Sequence, residues 1–373
     1  MNRIPLPNDF HAVVPIVAGV GNALMALPMV RQLKTRAGAG RVTIIARIDA
    51  MAEPFRRIAE VDEVLVTGSG FANQLRGVTQ SRACRPDLFI VPFPSNRWQY
   101  SMLAALSGAT HALLHDYPVG RLCALHFIGT RVPAERGIHD VEQNLRMLRA
   151  IGVEPDLTEA PVFDLRDDDH SRAAELLSAI GAKTDFIAIH AGSAQTILAQ
   201  AKRWPTANYA RLIETVRREV GADVVLLEGP DEAGVADEIV SAIPEPSERP
   251  RVLKLGGNLG VAGAVLQRAT LYAGSDSGLA HLAAAVGTKP VTIFAPADPD
   301  RVCPFGYRDL VVKPDKSCSP CFLYPWHATR PKMCCGAHGQ PMCITEVTVD
   351  QVMRVIRNVL SLSLYSGRGQ GRG

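Results

Sequence analysis

The stretch Ala273-Gly-Ser-Asp-Ser-Gly-Leu-Ala-His281 closes the apolar run 270–273 and is followed by a second apolar run at 291–294. This order predicts a strand, a turn of small residues, and a helix over 279–286 with Asp276 near its start. The first turn of a helix has unpaired backbone N–H groups and the positive end of the helix dipole, and both attract phosphate. The stretch therefore predicts a site for a charged substrate, although such a turn can equally be a plain connection.

A second segment favours the binding interpretation. The apolar strand Phe186-Ile-Ala-Ile189 leads into His190-Ala-Gly-Ser193, and Lys202-Arg-Trp-Pro205 then opens a helix predicted over 207–220. The first element offers a hydroxyl and N–H groups at a strand end, and the second offers a cation followed by a proline that suits a helix start. Together the two elements predict two walls of a diphosphate site.

Carboxylates follow a third strand of the same series. The apolar run 222–227 leads into Glu228-Gly-Pro-Asp231-Glu232. In an open parallel sheet the ligand crevice lies at the carboxyl ends of the strands, where a carboxylate can accept hydrogen bonds from ribose hydroxyls. The segment therefore predicts a ribose acceptor at Asp231 or Glu232.

Apolar strands alternate with helical patterns from residue 12 onward, which predicts parallel sheets covered by helices on both faces. A stretch rich in proline and aspartate at 154–170 interrupts the alternation, and we place a domain boundary there. The predicted parts are an amino-terminal domain (1–160), a carboxyl-terminal domain (170–345) with a cysteine-rich loop (303–343), an amphipathic helix (348–363), and a disordered tail (364–373).

The motifs and their order resemble glycosyltransferase family nine, the heptosyltransferases of lipopolysaccharide core assembly. The resemblance covers nearly the whole chain, because the amino-terminal half also contributes Gly-Val-Gly-Asn-Ala-Leu-Met-Ala-Leu-Pro-Met at 19–29. The other matching stretches are 85–88, 139–145, 190–193, 202–205, 228–232, 276–281 and 294–299.

The resemblance implies the GT-B fold class, an α/β architecture in which two Rossmann-like domains face each other across a cleft. It implies a nucleotide-sugar donor in the carboxyl-terminal domain and an acceptor in the amino-terminal domain, with the final helix packing back on the latter. His281 would support the turn rather than react. The donor-binding residues that it implies are Gly192, Ser193, Lys202, Asp231, Glu232, Ser275, Asp276, Ser277, Gly278 and His281.

The reaction implied is the transfer of a sugar, heptose from ADP-heptose, to a lipopolysaccharide-core or related glycan acceptor, with inversion and without a catalytic metal or other cofactor. Many family members carry aspartate as the base at the position of Asn22, and an amide has no useful proton-accepting pKa. Asn22 could orient the acceptor, and His139 or Glu142 could be the base. The alternatives are a protein that binds nucleotide-sugar without efficient transfer, and a nucleotide-sugar epimerase.

Gly19-Val-Gly21 also allows a dinucleotide-binding prediction with hydride transfer, but Arg47 stands where a dehydrogenase needs an acidic residue. The chain has 373 residues, 47% of them hydrophobic, and a net charge of +3. The sequence has no basic run interleaved with aromatic residues, so nucleic-acid binding is not predicted. No apolar run reaches the roughly 18 residues of a spanning helix, and no signal core begins the chain. We expect a cytoplasmic protein, with peripheral contact to the inner membrane for a lipid-linked acceptor.

Six of the eight cysteines lie between Cys303 and Cys343. A disulfide framework does not suit a reducing cytoplasm, so the spacing favours a structural metal, with zinc the default for four thiolates and iron the alternative. Free or redox-active thiols are the competing interpretation, and His327 or His338 could replace a thiolate. The predicted ligands are Cys318, Cys321, Cys335 and Cys343.

Overall fold

The computed structural model describes residues 3–118, 120–122, 124–192, 201–326 and 342–366. The chain divides into two compact units. Unit 1 comprises the described residues of Met1–Asp164, Asp300–Phe305 and Leu323–Pro331, and unit 2 comprises those of Leu165–Pro299, Gly306–Phe322 and Lys332–Gly373. The division after Asp164 falls inside the proline- and aspartate-rich stretch in which the sequence places the boundary.

Each unit contains one six-stranded sheet in which every pair of neighbouring strands is parallel. The strands of unit 1 are β1 (His11–Ile16), β2 (Arg41–Ala46), β3 (Glu63–Val66), β4 (Leu88–Ile90), β5 (His111–Asp116) and β6 (Thr130–Pro133). Those of unit 2 are β7 (Phe186–His190), β8 (Asp223–Glu228), β9 (Arg251–Lys254), β10 (Leu271–Ser275), β11 (Pro290–Ile293) and β12 (Val311–Val312).

Helices connect the strands in both units. In unit 1 the helices of the first 164 residues are α1 (Val20–Thr35), α2 (Asp49–Ala52), α3 (Phe71–Cys84), α4 (Trp98–Leu106) and α5 (Asp140–Arg146). The later helices are α6 (Asp167–Ala179), α7 (Thr206–Thr215), α8 (Val235–Ser241), α9 (Leu259–Arg268), α10 (Gly278–Ala285), α11 (Pro299–Val302), α12 (Met342–Thr345) and α13 (Val349–Ser366).

The strand order is the same in both units. Unit 1 has the order β3-β2-β1-β4-β5-β6, and unit 2 has the equivalent order β9-β8-β7-β10-β11-β12. Both are the doubly wound order of dinucleotide-binding folds, in which the direction of winding reverses between the first and fourth strands. The predicted α/β class is therefore confirmed, and each unit has a topological switch point, between β1 and β4 or between β7 and β10.

The central strands are buried along their length, because helices cover both faces of the sheet. In β7 and β8 every residue is buried, which explains why these strands are continuous apolar runs rather than alternating ones. The hydrophobic core of unit 2 contains β7, β8 and β10 together with α7 and the buried face of α13. Val352, Met353 and Ile356 of α13 are fully buried there.

Two sequence-based expectations differ from this arrangement. The final helix was expected on the amino-terminal domain, whereas its buried side chains belong to the core of unit 2, because its apolar stripe covers α7 and β11. The loop 303–343 was expected to be wholly carboxyl-terminal, whereas Asp300–Phe305 and the described residues from Leu323 belong to unit 1.

Candidate functional site

The residues that the sequence singles out in the carboxyl-terminal half converge on the switch point of unit 2. Strand β7 ends at His190 and β10 ends at Ser275, and Gly274 is the register partner of His190. A Cβ atom on Gly274 would lie 2.5 Å from the His190 carbonyl oxygen, so only glycine allows this close approach. The turn before α10 is thereby placed directly beside the end of β7.

Lys202 and Asp276 form an ion pair at this edge, with 2.6 Å between Nζ and Oδ2. Lys202 lies before α7, and Asp276 lies two residues before α10. The Asp276 side chain is only 6% exposed, whereas that of Lys202 is 19% exposed. The cation and the turn, which the sequence predicts separately, are therefore in direct contact, and the Lys202 side chain stays partly exposed.

The amino terminus of α10 lies at this edge of the sheet. Within the described chain no side chain caps this helix, because the Ser277 hydroxyl lies 3.3 Å from the Tyr272 hydroxyl instead. Gly278 is the first helical residue, and the first-turn N–H groups point out of the helix. His281 is buried one turn along, and its supporting role stays a prediction.

Glu232 lies beneath this site and contacts the end of β7. Its Oε2 lies 2.8 Å from Nε2 of His190 and accepts a hydrogen bond of 3.0 Å from the Gly229 N–H. Burial favours the protonated acid, but the hydrogen bonds from His190 and Gly229 and the charge of Arg203 outweigh it and lower the pKa of the Glu232 carboxyl. Glu232 is therefore an anion and a hydrogen-bond acceptor.

Gly192 allows the Glu232 carboxylate to pack against the backbone after β7. A Cβ atom at this position would lie 1.8 Å from Cδ of Glu232, so any other residue would displace the carboxylate. The structure does not describe the side chains of two other residues that are predicted for the same site. Ser193 lies outside the described residues, and for Asp231 only the backbone is described, in the 3₁₀ turn Pro230–Glu232.

Ser275 has a different environment from the one expected of a ligand-binding residue. Its side chain is fully buried, and its Oγ lies 2.8 Å from the Tyr209 hydroxyl and accepts a 3.4 Å hydrogen bond from the Trp204 N–H. The hydroxyl therefore connects the end of β10 to α7 and the segment before it. This geometry gives the Ser275 hydroxyl structural partners, and the contact with the donor stays a prediction.

The three catalytic candidates lie in unit 1. Asn22 is in the first turn of α1, half-buried. His139 is the N-cap of α5, and both of its ring nitrogens are occupied: Nδ1 accepts from the Val141 N–H at 3.2 Å, and Nε2 lies 2.7 Å from the Cys303 carbonyl oxygen. Burial lowers the pKa of His139. Because neither nitrogen has a free lone pair, the geometry speaks against His139 as a base.

Glu142 lies in the first turn of α5, partly exposed, with 3.7 Å between its Oε2 and Nη2 of Arg146. Its helix packs on α1 through Asn144, whose amide donates to the Met25 carbonyl oxygen at 3.3 Å and accepts from the Phe93 N–H at 2.7 Å. Asn144 therefore ties α1, α5 and the segment after β4 together. Of the two remaining candidates, Asn22 and Glu142, it is Glu142 that has a carboxylate, and this side chain is partly exposed.

Several residues of these networks are absent from the sequence-based prediction. Tyr209 and Tyr272 look like ordinary apolar residues of a helix and a strand, and nothing in the sequence pairs them with Ser275 or His190. Asp140 and Arg301 form a buried bidentate ion pair of 2.7 and 2.9 Å, although 161 residues separate them. Only the tertiary structure reveals such a pair, since no local spacing predicts it.

The predicted metal ligands are only partly described. Cys318 is exposed, Cys321 is partly buried, Cys343 is buried in the core of unit 2, and Cys335 lies outside the described residues, as do His327 and His338. In the part of the chain that the structure describes, no three histidine, cysteine, aspartate or glutamate side chains are grouped as metal ligands. The four-thiolate site stays a prediction.

A family model described as glycosyltransferase family 9 (heptosyltransferase) matches residues 102–328, more than half of the chain. The chain belongs to glycosyltransferase family 9. A curated family 9 relative, lipopolysaccharide heptosyltransferase 3 of Escherichia coli, is 27% identical over 206 residues, which are 55% of this chain and 58% of the relative. The chain spans about half the length of the curated relatives it matches.

Solved family 9 structures have the same fold over nearly the whole chain. The glycosyl transferase family 9 from Veillonella parvula has a TM-score of 0.76 at 17% identity, covering 96% of this chain and 99% of its own. The E. coli ADP-heptose lps heptosyltransferase II has a TM-score of 0.70 at 19% identity, covering 95% and 99%. These similarities confirm the GT-B fold class.

A third solved structure has a similar fold. The dodecameric iron-containing heptosyltransferase TibC, in complex with ADP-D-beta-D-heptose, has a TM-score of 0.57 at 15% identity, covering 100% of this chain and 81% of its own. At this identity the similarity concerns the fold. Within the described residues of the present chain, every helix is too short or too polar to cross a bilayer.

Proposed function

We propose that the protein is an inverting glycosyltransferase that transfers heptose from ADP-heptose to a lipopolysaccharide-core or related glycan acceptor. The observation that carries the proposal is the Lys202–Asp276 ion pair at the uncapped start of α10, on the switch point of unit 2. Membership of family 9 supports the reaction class. Two structural relatives, the E. coli ADP-heptose lps heptosyltransferase II and TibC in complex with ADP-D-beta-D-heptose, support the choice of donor.

The proposed reaction is a single displacement. The acceptor hydroxyl oxygen forms a bond to the anomeric carbon while the bond from that carbon to the diphosphate oxygen breaks, and the leaving ADP keeps the electron pair. Lys202 and the first-turn N–H groups of α10 stabilise the charge that develops on the diphosphate. Asp276 holds the ammonium in place, so Lys202 is oriented before the donor arrives.

The proton released by the acceptor requires a base in unit 1. We assign this role to Glu142, because a carboxylate accepts a proton and Asn22 cannot. His139 is the weaker candidate, since its two nitrogens are used in the N-cap and in the contact with Cys303. Asn22 would orient the acceptor through its amide. The donor and acceptor sites thus use different halves of the chain.

The presence of Asn22 favours one second candidate function. A family 9 protein without the usual aspartate could bind a nucleotide-sugar without efficient transfer. The two candidates make the same prediction for donor binding and opposite predictions for acceptor-dependent release of ADP. The experiment below separates them.

The test is to measure ADP release from ADP-heptose, with and without a lipopolysaccharide-core acceptor. We expect acceptor-dependent release by the unaltered protein, and a loss of about 100-fold or more in Lys202→Ala, because one preorganised charge on the leaving group is removed. Lys183→Ala, which changes an exposed lysine before β7, is the matched control and should retain activity. Donor binding without release would support the binding-only function, and no donor binding would exclude both.

The base is tested with two further variants. Glu142→Gln keeps the size of the side chain and should lower kcat by about 100-fold or more while the KM for the donor stays the same. His139→Gln should act mainly through stability, because it changes the N-cap of α5. Unchanged kcat in Glu142→Gln would eliminate Glu142 as the base. The next variant to measure would then be Asn22→Asp, which introduces the aspartate that many family members carry at this position.

We also propose a structural zinc or iron site that uses Cys318, Cys321, Cys335 and Cys343. The Cys-x-x-Cys pair Cys318 and Cys321 supports it, and so does the similarity to the iron-containing heptosyltransferase TibC. Cys343 is buried in the apolar core of unit 2, whereas Cys318 is exposed. Metal analysis of the purified protein should give about one ion per chain, lost in Cys318→Ser and Cys321→Ser. A protein without metal would favour free or redox-active thiols.

The remaining expectations concern location. We propose a cytoplasmic protein that contacts the inner membrane peripherally when its acceptor is lipid-linked. The length of the described helices is compatible with this location. Co-sedimentation with acceptor-containing vesicles, compared with vesicles that lack the acceptor, tests the contact. Equal amounts of bound protein would exclude recruitment by the acceptor.

A further inference from the structure

The buried pair of His190 and Glu232 does more than connect two strands. It lies at the end of β7, at the switch point of unit 2, and both side chains are less than a tenth exposed. Buried polar groups are expensive unless they are fully paired, so a buried pair beside a ligand site requires an explanation. The hydrogen bonds around the pair indicate its purpose.

The two hydrogen bonds to the Glu232 carboxylate are made to the same oxygen. Oε2 contacts Nε2 of His190 at 2.8 Å and accepts from the Gly229 N–H at 3.0 Å. Among the described residues, none donates a hydrogen bond to the other oxygen, Oε1. One oxygen therefore fixes the orientation of the carboxylate, while the second keeps its lone pairs for another donor.

The His190 ring is itself oriented from its other side. Nδ1 lies 3.4 Å from the Tyr272 hydroxyl and 3.4 Å from the Ser277 hydroxyl. Burial raises the pKa of Tyr272 well above its usual value, so its hydroxyl keeps its proton and can donate to Nδ1. A ring that accepts at Nδ1 carries its hydrogen on Nε2, which is the nitrogen that faces Glu232.

We propose that His190 is a positioning residue of the nucleotide site, which fixes the Glu232 carboxylate through Oε2 so that Oε1 accepts a ribose hydroxyl of the donor. The inference rests on the proposed function and deepens it. It assigns Glu232, rather than Asp231, to the ribose, and it gives the histidine of His-Ala-Gly-Ser a role that the sequence does not indicate. The diphosphate is recognised separately, by Lys202 and the start of α10.

The separation of the two recognition elements provides the test. ADP contains the ribose and the diphosphate, whereas inorganic pyrophosphate contains only the latter. We expect His190→Met, which removes the hydrogen-bond donor, to weaken ADP binding about tenfold and to leave pyrophosphate binding within about twofold, measured by calorimetry. His190→Gln places an amide nitrogen at a reach similar to that of Nε2 and should restore most of the ADP affinity.

A second variant tests the orientation of the ring without touching either member of the pair. Tyr272→Phe removes the hydroxyl near Nδ1 and should weaken ADP binding about two- to threefold, again without an effect on pyrophosphate. Both measurements also show that the variants are folded, because pyrophosphate binding requires an intact unit 2.

The outcomes separate this inference from the function on which it rests. If His190→Met weakens ADP and pyrophosphate equally, or weakens neither, His190 is not a positioning residue for the ribose. If the unaltered protein binds no ADP, the proposed donor site is wrong, and this inference fails with it. If ADP binding is normal and only the effect of His190→Met is absent, the proposed function stands alone.

Discussion

The two units have the same strand order, but the side chains at their switch points differ in kind. The switch point of unit 2 carries the ionisable side chains of His190, Lys202, Glu232 and Asp276. At the switch point of unit 1 the segments after β1 and β4 are joined by the amide of Asn144. The topology of the sheet therefore determines where a ligand can bind, and the residues that follow each strand determine which ligand binds there.

The two units also use their ion pairs differently. Asp140 and Arg301 in unit 1 are bound to each other through two hydrogen bonds, and the guanidinium lies 5.3 Å from the centre of the Phe93 ring. This pair is closed to solvent. Lys202 and Asp276 in unit 2 share one short contact, and Lys202 remains partly exposed. A closed pair is costly to break, because the remaining charge stays buried, whereas an open pair can exchange a partner for a ligand.

The largest expected effect tests the closed pair. Asp140→Ala leaves the buried Arg301 without its carboxylate and should lower the free energy of unfolding by about 3–5 kcal/mol, measured by urea denaturation. Asp276→Asn in unit 2 should cost only about 1–2 kcal/mol, because Lys202 can reach water.

The control for the closed pair is the double variant Asp140→Leu with Arg301→Met. Replacing both charges by apolar side chains should recover most of the stability that Asp140→Ala loses. Equal losses in Asp140→Ala and Asp276→Asn would contradict the distinction between closed and open pairs.

The next effect is a pH dependence that belongs to unit 1. Burial lowers the pKa of His115 from 6.5 to about 4, and its ring packs edge-on against Phe93 at 5.1 Å. The unfolded chain therefore takes up a proton below pH 6.5 that the folded protein takes up only near pH 4. The stability that depends on neutral His115 is complete above pH 6.5 and is lost as the pH falls toward 4, by about 3 kcal/mol in total.

We expect His115→Gln to flatten this loss of stability, measured as the urea midpoint between pH 7.5 and 4.5 relative to the unaltered protein. The comparison uses the slope of each curve, so that a constant loss of packing in the variant does not affect it. Parallel curves for the two proteins would show that other groups cause the acid sensitivity.

The sequence predicts the fold of unit 2 better than the site within it. Strands β7, β8, β10 and β11 are apolar runs bounded by small residues, and their ends were predicted to within one or two residues. Strands β5, β6, β9 and β12 were not predicted, because β5 and β6 carry polar residues, β9 is mostly half-exposed, and β12 has only two residues. Local pattern fails where a strand is short or lies away from the buried centre of the sheet.

The prediction of the site was limited by burial and distance. Lys202 and Asp276 were identified because each belongs to a motif beside a predicted strand end, and the parallel sheet then places them together. The true environment of Ser275 could not be inferred, because a serine in a turn gives no sign that Tyr209 lies 2.8 Å from it. His139 was chosen for its chemistry, and only the contact with Cys303 shows that its nitrogens are occupied.

A smaller effect tests whether the Ser275 side chain is structural or contacts the donor. Ser275→Ala leaves the buried Tyr209 hydroxyl without this partner and should lower the free energy of unfolding by about 1–2 kcal/mol. The affinity for ADP should change less than about twofold, because the Ser275 side chain faces the protein interior.

The double variant Ser275→Ala with Tyr209→Phe is the control for this effect. It removes both polar groups and should recover part of the lost stability. A tenfold loss of ADP affinity in Ser275→Ala would restore the original prediction that Ser275 contacts the donor.

The smallest effect tests whether a cation must lie at the switch point to assist the diphosphate, or whether any position at the carboxyl edge of the sheet is sufficient. Lys254 ends β9 at the same carboxyl edge as Lys202, two strands away from the switch point, and lies 3.7 Å from Glu228. The Glu228 carboxylate already accepts hydrogen bonds from the Gly234 and Ala236 N–H groups. Lys254→Ala should therefore change stability by less than about 0.5 kcal/mol. ADP and pyrophosphate affinities should also be unaffected, since a cation at this edge assists a diphosphate only where the winding of the sheet reverses.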